Sequence, residues 1–339
     1  MRVKATDIAK ELGISKATVS LALNNRPGVN ENTRKEVLEC KKRMEANDGA
    51  RIHAGAQLNG VIKSVVAIRE LNTVRGDILD LWTDVNTVMD RIAKSWGCSL
   101  EVSFFNILHD SPEALAEACN QDQVIGVVIS GTEMFPGDEK NIAGIKKPLV
   151  VYDADLGEKY PCILFNNAES VMHAVRHLAD RGRKNIFYLA RSIDIYNYTQ
   201  RRTGFCMAMK ELGMGGEERI LKMGTKTDEM YLNLKEYLKA HELPDAFIME
   251  SYHLSIAAVR VFKQLGIRVP GDVGIVGVDE LPEYMADEYT LTTIKVPHTE
   301  RGKVTMMLLR YEIENSSRIK SKVLVNCEFV EGNTVSERK

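Results

Sequence analysis

From residue 60 onward the chain alternates short β-rich runs with helical patterns, and this alternation leaves few folds open. Candidate strands are 64–69, 100–105, 124–130, 149–152, 185–190, 245–249 and 273–278. Helical patterns cover 77–96, 168–181, 201–212 and 255–265. Strands that alternate with helices pair in parallel, and a parallel sheet must be covered on both faces. Two such series, meeting near residues 160–164, predict two doubly wound α/β lobes with a cleft between them. Ligands of such sheets bind beyond the C-terminal ends of the strands. A chain of 339 residues suits two or three folding units.

The first 60 residues follow a different pattern. Thr6 to Asn24 reads TDIAKELGISKATVSLALN. Ile8, Ala9 and Leu12 share a helical face, and Gly13 permits the positive φ of a sharp turn. Ser15 can cap the next helix. There Val19 and Leu23 face inward, which leaves Lys16, Ala17, Ser20 and Leu21 outward. A third helical pattern starts at Asn30, a candidate N-cap, with Thr33, Val37, Cys40 and Met44 on or near one face. Two helices around a Gly turn describe a helix-turn-helix, although an ordinary helical hairpin of a larger core has the same pattern. Charge separates the two. Residues 1–60 hold 11 Lys and Arg against 7 Asp and Glu, a net of +4; the whole chain nets −2, so residues 61–339 carry −6. A basic head on an acidic body is the asymmetry expected when only the head meets a polyanion.

Other classes are argued against. No apolar run is long enough for a signal peptide core or a membrane span, which predicts a cytoplasmic location and no membrane partner. Cysteines 40, 98, 119, 162, 206 and 327 are scattered without C-x-x-C spacing, so reduced thiols are expected and no metal site. No G-x-G-x-x-G follows a strand, and no phosphate-binding G-x-x-x-x-G-K-[ST], H-E-x-x-H or G-x-S-x-G motif occurs. No catalytic residue and no cofactor is therefore expected.

The head resembles, almost position by position, the DNA-binding head of the LacI/GalR family of bacterial transcription regulators. The matching pieces are Thr6-Asp7-Ile8-Ala9, Gly13-Ile14-Ser15, Thr18-Val19-Ser20, Leu23-Asn24, Val29 and Thr33-Arg34. The body is similar more loosely. It carries His177-Leu178 followed by Gly182-Arg183-Lys184-Asn185-Ile186, then Arg201-Arg202-Thr203-Gly204-Phe205. Pro270-Gly271-Asp272-Val273 with Gly277-Val278-Asp279-Glu280, and Leu291-Thr292-Thr293-Ile294, complete the set. The resemblance implies an α/β protein with a three-helix helix-turn-helix head and two doubly wound, periplasmic-binding-protein-like lobes. The head would span 1–46, a hinge or linker 47–60, and an effector-binding and dimerisation body 61–339. Within the body the N-lobe would take about 61–160 and 293–320, and the C-lobe about 161–292 and 321–339.

The same resemblance implies a double-stranded DNA operator as partner. Thr6, Ser15, Thr18, Ser20, Asn24 and Thr33 would position the backbone, with Lys10 and Arg34 adding charge, while Lys16, Ala17 and Leu21 would read bases. Lys16 can donate to guanine, whereas Ala17 and Leu21 can make only apolar contact, for instance with a thymine methyl. Many family members carry a larger polar residue where Leu21 stands, which implies a different half-site preference. The hinge departs as well: residues 47–58 lack the family's Tyr-x-Pro-Asn segment. Either Ile52 or Leu58 would be the groove wedge, or the segment is a plain tether.

In the cleft the matching positions imply a small-molecule effector, a sugar or related metabolite. Asp153, Phe165, Asn197, Arg201, Ser251 and Asp279 are the candidate contacts, with Tyr196 and Trp82 as further aromatic neighbours. Ser251-Tyr252 and Glu280 stand where hydroxyl-gripping residues are usual, which points to a bulkier or less polar ligand, or to a weak site. The expected function is a repressor that reads a pseudo-palindromic operator as a homodimer, with an effector changing its affinity. Two alternatives stay open: a regulator with a degenerate cleft answering to a protein partner, and a ligand-binding protein with a vestigial head.

Overall fold

The computed structural model describes residues 5–23, 26–51, 57–69, 79–281, 289–315 and 319–338, with the backbone alone described at 5–7, 42–51 and 79–84. The head consists of α1 (Ala5–Leu12), α2 (Lys16–Leu23) and α3 (Glu31–Arg51). Gly13 turns the chain at φ +65°, a conformation that costs glycine nothing. Ser15 Oγ then accepts the amide of Thr18 at 3.0 Å and starts α2. Asn30 Oδ1 does the same for α3, accepting from the Thr33 amide at 2.8 Å. Between the helices Ile8, Val19, Ala22, Val37 and Cys40 are buried, with Ala9, Leu12, Ile14, Leu23 and Val29 packed around them. Burying each large aliphatic there is worth about 1.5–3 kcal/mol, a small sum for a unit of this size.

Helix α3 runs on to Arg51, so residues 47–51 of the expected hinge are helical. Beyond it Leu58 packs on the core of the first lobe, and its amide donates to the Trp96 carbonyl at 2.9 Å. That placement corrects Leu58 as a candidate wedge, because its side chain is spent on the lobe; Ile52, the other candidate, lies outside the described residues.

The body holds two six-stranded sheets. The first has the order β11-β5-β4-β3-β1-β2, and the second β12-β10-β9-β8-β6-β7. Strands of the first are β1 (Gly60–Ile68), β2 (Cys98–Asn106), β3 (Val124–Ser130), β4 (Leu149–Tyr152), β5 (Cys162–Phe165) and β11 (Lys322–Val325). Those of the second are β6 (Ile186–Ala190), β7 (Ile220–Lys222), β8 (Ala246–Met249), β9 (Gly274–Val278), β10 (Thr292–Lys295) and β12 (Glu328–Val330). All pairs are parallel except β10 with β12. The helices that matter below are α4 (Leu79–Ser95), α5 (Pro112–Cys119), α6 (Asn167–Asp180), α7 (Tyr196–Glu211), α8 (Thr227–Ala240), α9 (Tyr252–Leu265) and α10 (His298–Glu314). Each sheet is packed on both sides, with one apolar cluster per face, which is why its central strands read as continuous apolar runs.

The lobes share one winding. Strands 2-1-3-4-5 of the first correspond in order to 7-6-8-9-10 of the second, the flavodoxin-like order whose ligand crevice opens between the first and third strands of each lobe. The chain crosses between lobes after β5, after β10 and between β11 and β12. The limits expected at 160, 293 and 321 thus fall a few residues early: Cys162–Phe165 and Lys322–Val325 still pair in the first sheet, and Thr292–Lys295 in the second. Apolar pattern alone gives no mark of a crossover, because the short strands beside it are assigned to their sheet by pairing rather than by their own pattern. Gly204 shows why a residue without a side chain is needed on α7: a Cβ there would lie 2.2 Å from the carbonyl oxygen of Ala168 on α6.

Candidate functional site

On the head, Ser15, Lys16, Ala17 and Ser20 are exposed, and Thr18, Leu21 and Thr33 are half-buried. All lie at the start or outer side of α2 and the start of α3. Thr18 Oγ1 and Ser15 Oγ share a hydrogen bond of 2.8 Å, so the cap is doubly tied. Leu21 is partly covered, its Cδ1 lying 3.6 Å from where a Cβ on Gly28 would stand. Arg34 differs from its expected role as a mere charge. Its guanidinium donates to the carbonyls of Ala22 (3.3 Å) and Arg26 (2.9 Å), which binds α3 to the end of α2. The side chains of Thr6 and Asn24 lie outside the described residues.

Between the lobes is a cavity that opens to solvent. All six residues picked from the sequence line it: Asp153, Phe165, Asn197, Arg201, Ser251 and Asp279. Asp153 and Asp279 follow β4 and β9, the fourth strands of their lobes, and their φ angles of +74° and +64° are a matched pair. Their amides make matching bonds too, Asp153 to the Ile163 carbonyl at 2.9 Å and Asp279 to the Ile294 carbonyl at 3.0 Å. Aspartate tolerates this left-handed region better than most residues, and such positions concentrate at ligand sites.

A continuous polar chain crosses the floor of the cleft. Arg301 Nη2 donates to Asp153 Oδ1 at 2.7 Å, and Thr132 Oγ1 donates to Asp153 Oδ2 at 2.8 Å. From the second lobe Asn197 Nδ2 donates to Asp153 Oδ1 at 2.9 Å. Asn167 Nδ2 donates to Asn197 Oδ1 at 2.8 Å, and Arg201 Nε to Asn167 Oδ1 at 2.8 Å. Arg201 Nη1 ends the chain on the Glu250 carbonyl at 2.7 Å. Arg301 is 1% exposed and lies 3.3 Å from the ring centre of Phe165 and 4.0 Å from that of Tyr152. The burial of Tyr152 beside Asp153 pushes its phenol far out of the titrating range, with Arg301 opposing. Tyr152 is therefore neutral.

Beneath the second-lobe wall, Glu250 is completely buried. It accepts from Arg202 at 2.7 and 2.9 Å and from the Arg191 amide at 2.8 Å. Loss of solvent raises its pKa to about 7, against the lowering effect of Arg202.

Sequence reasoning missed Arg301, Thr132 and Tyr198. Arg301 sits at −4 from Thr305 and −8 from Leu309 on the buried stripe of α10, a spacing that could have flagged it as an inward arginine. Tyr196, picked as a cleft aromatic, packs instead on the first-lobe core, and Tyr198 two residues on lines the cavity. The residue at the first position of α7 points across to the other lobe; only after the helix has turned does its face meet the cleft. The side chain of Trp82 lies outside the described residues. Tyr198 also packs with Ile193 and Ile195 against Phe135 of the first lobe, an apolar contact at the cleft rim. Among the described residues no group of three or more His, Cys, Asp or Glu is placed to hold a metal, and no helix is long and apolar enough to cross a membrane.

A helix-turn-helix unit with its polar face outward, joined to a two-lobed body with a polar cleft, defines a DNA-binding regulator of the periplasmic-binding-protein-like type. Comparison with known proteins agrees at every level. Residues 5–45 match the family model for bacterial regulatory proteins of the lacI family, and residues 175–335 match the periplasmic binding protein-like domain. The chain belongs to the LacI family of transcription regulators. It is 25% identical over 340 residues to the HTH-type transcriptional regulator MalR of Clostridium butyricum, covering 96% of this chain and 97% of that one. It is 24% identical over 319 residues to catabolite control protein A of Priestia megaterium, covering 91% and 92%. In fold it is similar to a transcriptional regulator CelR in complex with cellobiose (TM-score 0.70, 19% identity, 98% of this chain and 100% of that one). It is likewise similar to the lac repressor dimer bound to operator and the anti-inducer ONPF (TM-score 0.67, 20% identity, 99% and 100%).

Proposed function

We propose that this regulator is a repressor that binds a pseudo-palindromic operator as a homodimer, with a small-molecule effector in the interlobe cleft changing its affinity. The division of labour is a head over residues 1–46, a linker over 47–60 and an effector-binding, dimerising body over 61–339. One observation carries the reading: a single chain joins an outward polar helix face, Ser15 to Leu21, to a cleft whose two walls are tied by side chains that a ligand can reach. One head reads one half-site, so two-fold pairing is what turns a short, weak contact into a specific one. The similar lac repressor structure is a dimer on operator, which supports the same assembly here.

Ser15, Thr18, Ser20 and Thr33, with Thr6 and Asn24, supply phosphate contacts, and Lys16, Ala17 and Leu21 read base edges. In the cleft Asp153, Phe165, Asn197, Arg201, Ser251 and Asp279 form the effector site. An effector that binds one lobe angle better than another must shift the spacing of the two heads, and DNA must in turn change effector affinity by the same factor. Selection of random duplex DNA on the full chain at about physiological salt tests this. A two-fold symmetric motif is the expected product, and binding that follows charge alone overturns it.

A further inference from the structure

The first-lobe wall of the cleft carries the parts of a cation site, and the protein fills them with its own side chain. Asp153 accepts from Arg301 at 2.7 Å, and Thr132 donates to the other carboxylate oxygen at 2.8 Å. The Arg301 guanidinium lies over the Phe165 ring, 3.3 Å from its centre, with the Tyr152 ring centre at 4.0 Å. A carboxylate beside aromatic faces is an arrangement by which proteins bind guanidinium and ammonium ligands. The flat guanidinium suits it best, since it stacks on a ring and donates to the acid at once. All five side chains line the cavity that opens to solvent.

Two features separate Arg301 from a plain structural arginine. The first is what its bond sets up across the cleft. The oxygen it holds, Asp153 Oδ1, is the one that accepts from Asn197 of the second lobe at 2.9 Å. From Asn197 the side-chain bonds run through Asn167 to Arg201. Arg301 thus heads the tie between the lobes, in the place that a bridging ligand would take. The second feature is an unspent donor: Arg301 Nε is buried without a hydrogen-bond partner among the described residues, whereas buried polar groups are ordinarily satisfied. Exchange also has an outlet within the cavity. Asp279 lines it with its carboxylate 3.6 Å from His298, the first residue of α10 and about one turn before Arg301. A displaced guanidinium therefore has a second acid to meet, while Asp153 and the Phe165 face pass to whatever displaced it.

We infer that the first-lobe half of the cleft is a guanidinium site filled in cis by Arg301, which holds the lobes together in the place of an effector. An effector then acts by displacing Arg301, so its binding opposes the cross-lobe tie. The inference rests on the effector-regulated reading above and names how that cleft is regulated.

The test returns the guanidinium in trans. Free ethylguanidinium supplies the atoms that Arg301→Ala removes, and the cavity opens to solvent to admit it. Small-angle scattering and thermal unfolding of the full chain are followed as ethylguanidinium chloride is titrated, with ethylammonium chloride and sodium chloride at matched ionic strength. Arg301→Ala is expected to have a larger radius of gyration than the wild type and a Tm lower by about 5 °C or more. Ethylguanidinium alone is expected to reverse both. The wild type is expected to respond to neither ion, because its tethered guanidinium outcompetes a free one. Arg301→Lys keeps the charge without the flat face and serves should Arg301→Ala not fold; it too is expected to have the larger radius. A wild-type radius in either variant overturns the proposal, as does no reversal by ethylguanidinium, an equal reversal by ethylammonium or the same response in the wild type. Affinity for a selected duplex is expected to shift by about 5–150-fold in Arg301→Ala and to return with ethylguanidinium. An unchanged affinity in an opened variant would instead strike the effector-regulated reading and leave the guanidinium site standing.

Discussion

Asn197 of the second lobe donates to Asp153 of the first at 2.9 Å, and through this bond the polar floor of the cleft becomes a cross-lobe tie. Its effect is reversible in kind, since this hydrogen bond, the apolar contact at Phe135 and the packing of Tyr196 on the first-lobe core can be exchanged for contacts to a ligand. Asn197→Asp would set a second carboxylate against Asp153. We expect the lobes to open, seen as a larger radius of gyration in solution scattering, with about 1–3 kcal/mol lost from stability. An unchanged radius would mean that the tie does not set the lobe angle.

The Asp153–Arg301 pair is buried on both sides, with side-chain exposures of 8% and 1%. Removing one partner strands a buried charge, so Arg301→Met should cost about 3–5 kcal/mol in denaturant unfolding. The double variant Asp153→Asn with Arg301→Met should recover much of that. Additive losses would refute the coupling.

Glu250 gives the fold a pH dependence. Its pKa, near 4.5 in the unfolded chain, is raised to about 7 by burial, so the folded state holds a proton that the unfolded state has released. The stability this group contributes is full below the unfolded value, falls as pH rises through about 7 and is lost above it, a change of a few kcal/mol at most. Melting curves between pH 5 and 8 should therefore show a downward slope for the wild type that Glu250→Gln flattens. A slope of the opposite sign, or one retained in Glu250→Gln, contradicts the assignment.

On the head, cap and readout should separate. Ser15→Ala removes the acceptor of the Thr18 amide and should lower head stability by about 1 kcal/mol. Lys16→Ala touches no partner among the described residues and should leave melting unchanged while costing about 1–3 kcal/mol at one base position. Equal losses for Lys16→Ala on specific and scrambled duplexes would make it a phosphate contact only.

The fold was largely legible because its signals are local. Strands such as Val124–Ser130 and Leu149–Tyr152 fall where the apolar runs put them, and Asp153 and Asp279 stand at strand ends that face the cleft. The strands Cys162–Phe165, Ile220–Lys222, Thr292–Lys295, Lys322–Val325 and Glu328–Val330 were harder to read, being three or four residues long and set by pairing rather than by their own pattern. Arg301 illustrates the limit for the site. Its partner Asp153 is 148 residues away, and nothing in the local pattern of α10 says that the two meet. Nor does the letter sequence tell that Phe165 is covered, which changes the chemistry the cleft can offer.

The central claim is that the head reads sequence. It is tested most directly by the ratio of affinities of the full chain for its selected symmetric duplex and for a scrambled duplex of equal length, both at about 150 mM salt. The account predicts a ratio of about 10³ or more. A ratio near one would show a head that binds charge alone, and would contradict it.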